Sequence, residues 1–139
     1  MIKLLLLAFL LMGFSPRWEM IAVHYSVSTH MTKKECDAWH TERGFEGCGY
    51  HFIIDRDGKV EPGRSLNRIG AHAYEFNSRA IGVCFVSQGD ISPQQVTSFK
   101  NLVQKLEEQF GELPIVLHRE IGKTKCPGDE IAQTIKALK

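Results

Sequence analysis

The chain has 139 residues, of which 43% are hydrophobic and 24% charged, the size and balance of one globular domain built on one core. A formal net charge of +1 gives nucleic-acid binding no electrostatic support, so no such partner is expected. Six histidines are many for this length and favour metal or acid–base chemistry.

The first 18 residues, MIKLLLLAFLLMGFSPRW, carry one early lysine and then an uncharged run from Leu4 to Phe14. That run is short for a membrane span and of the right length for the apolar centre of a signal peptide. Residues 1–18 are therefore read as a signal peptide or N-terminal hydrophobic anchor, and residues 19–139 as the working domain. Export to the periplasm or outside the cell is the expected address.

Glu19 to Ser28 reads as a strand in which Ile21, Val23 and Tyr25 alternate with Ala22 and His24. Thr32-Lys33-Lys34-Glu35 has the capping-box pattern and predicts a helix to about Arg43, ended by Gly44. Cys36 and Trp39 fall on one side of it. Gly49 to Ile54 is strand-like, and Asp57-Gly58 turns it into Lys59-Val60-Glu61, a hairpin signal. A loop from Pro62 to Arg79 carries Arg64, His72 and Asn77.

Ala80 to Val86 is a continuous apolar strand, expected at the centre of a sheet because neither face is polar. Ser92-Pro93 opens a second helix, where Val96, Phe99, Val103, Leu106 and Phe110 form an apolar face. Pro114 to Leu117 is a short strand that delivers His118, and Asp129 to Leu138 is a closing helix. The fold expected is α/β, a single domain with a mixed central sheet flanked by about three helices.

Chemistry concentrates in HREIGKTKCPGD, from His118 to Asp129, which sets Cys126 eight residues after a histidine. Imidazole nitrogen and thiolate sulfur suit a borderline-soft ion such as zinc. His24, a polar ring in an apolar strand, is the candidate third ligand. Three protein ligands and an open position define a catalytic zinc, whereas structural zinc is closed by four. His51 is assigned to structure, and His30 and His40 to the surface. Cys84, inside an apolar run, reads as a buried small hydrophobe. Cys36 and Cys48 either stay free or bridge the helix to the loop after it; spacing leaves both open.

IAVHYS, GYHFIIDRDGKVEPGR, GAHA, NSRAIGVCF and the His118–Cys126 pair with its Pro-Gly-Asp, in this order, resemble the zinc-dependent N-acetylmuramoyl-L-alanine amidases of type two. That family includes phage lysozyme-type amidases and peptidoglycan recognition proteins, and the resemblance spans roughly residues 20–135, an ordinary domain length. It implies zinc held by His24, His118 and Cys126. It also implies hydrolysis of the amide between the lactyl group of N-acetylmuramic acid and L-alanine of the peptidoglycan stem peptide.

Tyr50 matches the family's active-site tyrosine. Thr124 stands where phage members carry lysine and recognition-protein amidases threonine, while Lys123 and Lys125 flank that position. Tyr50, Thr124 and His72 are the candidate carriers of a proton to the leaving amine. Arg64, His72 and Asn77 are the candidate substrate-binding residues. Peptidoglycan is the expected partner of a monomer that meets membrane only through its N-terminal segment. The competing readings are a non-catalytic peptidoglycan-binding module of the same fold and a domain whose zinc is purely structural.

Overall fold

The structure, a computed structural model, describes residues 16–139. The apolar run from Leu4 to Phe14, read as a signal or anchor, lies outside the described residues. Among the described residues no helix is long and apolar enough to cross a membrane. Trp18 is 6% exposed and packs into the main core.

Five strands form one sheet: β1 (Met20–Tyr25), β2 (Phe52–Ile54), β3 (Val60–Pro62), β4 (Ala80–Phe85) and β5 (Ile115–Leu117). Their order is β3-β2-β4-β1-β5. The β2–β3 hairpin is antiparallel and the other pairs are parallel, so the sheet is mixed, as expected. β4 lies between β2 and β1 and is buried along its whole length, which is why its sequence shows no polar alternation.

Among the described residues four helices accompany the sheet: α1 (Lys33–Glu42), α2 (Pro93–Phe110), α3 (His118–Ile121) and α4 (Asp129–Ala137). Thr32 caps α1 through the expected box and Ser92, the expected cap of α2, forms one too, accepting from the backbone N–H groups of Glu35 and Gln95 respectively. The extra element is α3, a single turn too short to leave a periodic signature.

Alternation along the strands divides the molecule. Ile21, Val23, Ile81, Val83 and Phe85 face α2 and α4, forming the main core with Phe99, Leu102, Leu106, Ile131 and Ile135. On α2 the deepest line is Gln95, Phe99, Leu102 and Leu106, whereas Val96, Val103 and Phe110 are only half-buried flanks. Gln95 is fully buried because its amide nitrogen donates to the carbonyls of Ile54 and Val86, each at 3.0 Å.

The opposite face of the sheet holds a smaller cluster of Met31, Cys36, Cys48, Ile53, Cys84 and Val86. Cys36 and Cys48 form a disulfide, with Cα atoms 5.1 Å apart, tying α1 to the loop before β2. Cys84 is a buried free thiol.

Candidate metal centre and groove

The register of three parallel strands assembles the site. Val23 pairs with Leu117 across β1 and β5, so the next residues, His24 and His118, emerge side by side. Their ring centroids are 4.5 Å apart. Cys126 arrives from the turn after α3, held there by a 2.9 Å hydrogen bond from the Arg119 N–H to its carbonyl. The Arg119 guanidinium also pairs with Asp129 at 2.8 Å. One ligand atom from each of His24, His118 and Cys126 lies within 4.8 Å of the others.

Two imidazoles and a thiol are a donor set that fits zinc. Burial lowers the pKa of His24, and neighbouring His72, His118 and His40 lower it further. Burial alone lowers that of His118, so both rings are neutral lone-pair donors at neutral pH. Burial pushes the Cys126 thiol up to about 11, against the Tyr25 backbone hydrogen bond and the Arg119 charge that lower it. Metal binding would therefore displace a proton from sulfur.

A second group with the same ligand types, Cys36, His40 and Cys48, is equally compact. Its two sulfurs are bonded to each other and present no thiolate to an ion.

The cluster lies at the floor of a groove of about 520 Å³. Trp39, Arg43, Phe45, Tyr74, Thr124 and Lys125 are among its lining residues. Trp39 is 50% and Tyr74 87% exposed, an apolar rim such as ligand grooves carry. Tyr50 precedes β2, with its ring 5.1 Å from that of His24. Burial, reinforced by the Cys84 and Cys126 sulfurs, raises its phenol well above the usual value and keeps the hydroxyl a donor. The Thr124 hydroxyl accepts from the Cys126 N–H at 3.1 Å, bracing the turn that carries the sulfur.

The remaining candidates separate. His72 lines the groove, with Nδ1 2.9 Å from His24 Nε2 and Nε2 3.0 Å from the Ala80 carbonyl. Asn77 also borders the groove, and its Oδ1 accepts from the backbone N–H groups of His72 and Ala73 at 2.7 and 2.9 Å. Arg64 is not brought to this floor. Its guanidinium donates to the carbonyls of Cys48, Ile69 and Glu46, stitching two loops together.

His40 corrects the surface assignment. It is 5% exposed, and its Nδ1 accepts the Gly49 N–H at 2.8 Å next to Tyr50. Helical spacing held the signal, since His40 follows the buried Cys36 by four residues and shares its face, while Trp39 is half exposed. Asp37, on the same helix, also reaches the loop before β2, accepting from Cys48 N–H at 2.8 Å. His51 has the structural role expected, accepting from Gly82 N–H and bonding the Arg68 carbonyl, each at 3.0 Å.

A mixed sheet that gathers two imidazoles and a thiol beneath an open groove defines the class of a candidate metal-assisted hydrolase. Residues 14–129 match the N-acetylmuramoyl-L-alanine amidase family, and the chain belongs to it. It is 34% identical over 131 residues to the endolysin of Enterobacteria phage T3, covering 85% of this chain and 87% of that one. Among solved structures it resembles the N-acetylmuramoyl-L-alanine amidase endolysin LysCS from Clostridium intestinale, with TM-score 0.83 and 31% identity over 91% of this chain and 86% of that one. A Drosophila PGRP-LB mutant in complex with tracheal cytotoxin is also similar, with TM-score 0.73 and 26% identity over 85% of this chain and 79% of that one.

Proposed function

We propose that this protein is a zinc-dependent N-acetylmuramoyl-L-alanine amidase that cuts the lactyl–L-alanine amide of peptidoglycan. The observation that carries the reading is the compact His24–His118–Cys126 donor set under an open groove, in a chain of the amidase family. Zinc held by these three would supply an activated water near neutral pH and polarise the scissile carbonyl.

The chain's own groups do the rest. A muramyl peptide lies along the groove between Trp39 and Tyr74, with the scissile amide over the cluster. The Tyr50 hydroxyl, kept protonated by its buried setting, donates to the oxygen that becomes negative in the tetrahedral intermediate. Thr124 receives a hydrogen bond at Oγ1, which leaves its own proton free to turn into the groove toward the leaving amine. Asn77 and Arg64 contribute by holding the loops that border the groove. The disulfide supports action outside a reducing cytosol, in keeping with export through the Leu4–Phe14 segment.

The test incubates the purified protein with peptidoglycan and follows new amino groups on L-alanine alongside new reducing sugar ends. The expected result is release of amines alone, abolished by a chelator and restored by zinc. Peptidoglycan retention with bound zinc and no amine release would instead identify a binding module.

A further inference from the structure

We propose that His72 is a positioning residue that fixes the tautomer and orientation of His24, so that His24 turns its Nδ1 lone pair toward the metal; this rests on the zinc reading above. The argument is one of hydrogen-bond direction. The Ala80 carbonyl offers only lone pairs, so the His72 Nε2 that faces it at 3.0 Å carries the ring proton. A neutral imidazole has one N–H, which leaves His72 Nδ1 as an acceptor. That atom lies 2.9 Å from His24 Nε2, so His24 carries its proton on Nε2 and its lone pair on Nδ1. His24 Nδ1 is the nitrogen 3.8 Å from Cys126 Sγ.

The three groups form a one-way relay from His24 through His72 to the β4 backbone. The His72 ring has little room to turn. A Cβ added at Gly82 would meet its Cδ2 at 2.5 Å, and one added at Gly70 would meet the same atom at 2.4 Å. Asn77 pins the backbone at His72 and Ala73. With both nitrogens engaged, His72 has none left for substrate or for the leaving amine. A second group that orients a ligating imidazole commonly changes metal affinity by 10–100-fold when removed, a magnitude of about that order being expected here.

The experiment compares the full-length wild type with His72→Leu and His72→Asn, the latter placing an amide oxygen near the lost Nδ1. Zinc affinity is read by competition with a chromophoric chelator. The His24 tautomer is read from long-range ¹H–¹⁵N correlations in the metal-free proteins. We expect His24 as the Nε2–H form in wild type, about 10–100-fold weaker zinc in His72→Leu, and recovery to within about tenfold in His72→Asn. A wild-type His24 protonated on Nδ1 would overturn the inference whether or not the leucine variant folds. So would unchanged zinc affinity and tautomer in a folded His72→Leu. A wild type with the Nε2–H form that takes up no zinc would overturn the zinc reading and this inference together; the other two outcomes, in a zinc-binding wild type, strike the inference alone.

Discussion

Reducing the disulfide is the cleanest perturbation of the fold, because it changes two buried sulfurs and nothing else. Cys36 and Cys48 are 0% and 2% exposed, so their thiols would stay packed and little burial energy should be lost. The cost lies in the unfolded chain, which regains the freedom of a closed interval of 12 residues. Loop-closure entropy for that interval corresponds to about 3 kcal/mol at room temperature. For a domain of this size that is roughly 10 °C in Tm. Thermal unfolding by circular dichroism, on oxidised and reduced protein with a chelator in both, measures it. A shift under about 3 °C would refute the reasoning, showing that the segment is already restrained in the unfolded ensemble.

Three further outcomes are expected. Cys126→Ala should lose zinc binding and amidase activity together; full activity with metal bound would show that sulfur is no ligand. Tyr50→Phe should bind zinc as wild type does while kcat falls by about 10²–10³, the usual loss for one oxyanion donor, measured on a soluble muramyl peptide. His51 has its pKa lowered from 6.5 to about 4, chiefly by burial, so its neutral form stabilises the fold above pH 6.5 and that contribution drains away as pH falls toward 4. The loss totals about 3 kcal/mol. Urea unfolding of the metal-free protein between these limits should show a steeper decline for wild type than for His51→Gln, and parallel slopes would contradict it.

Strands, hairpin and three long helices were legible because each announces itself locally, through alternation, a turn dipeptide or a capping box. Ordered motifs likewise drew His24, His118, Cys126 and Tyr50 together as one candidate site. What escaped depends on partners distant in sequence. Gln95 carried no reading of its own in the sequence, yet its amide closes two strand ends, one of them 41 residues away. His40 seemed a surface side chain until the Gly49 N–H came beside it. Trp18 fills the core edge-on to His51, a partner 33 residues away. His72 was a candidate for substrate binding and for proton transfer. Its actual neighbours, a ring on β1 and a carbonyl on β4, become visible only once the strands are aligned.

Gly82 sits in the middle of the central strand with no side chain, no charge and no donor beyond its backbone, and so would be ignored in any inventory of functional groups. Yet the plane of the His72 ring is set against it. Walls made of side chains can repack around a shifted ring, whereas a wall of hydrogen-bonded strand yields only when the strand does. The tolerances of the His24–His72 pair are thus those of the sheet itself. Heating should leave its aim intact until the sheet melts, and a methyl group added at this silent position should misalign it as surely as a change in the histidines.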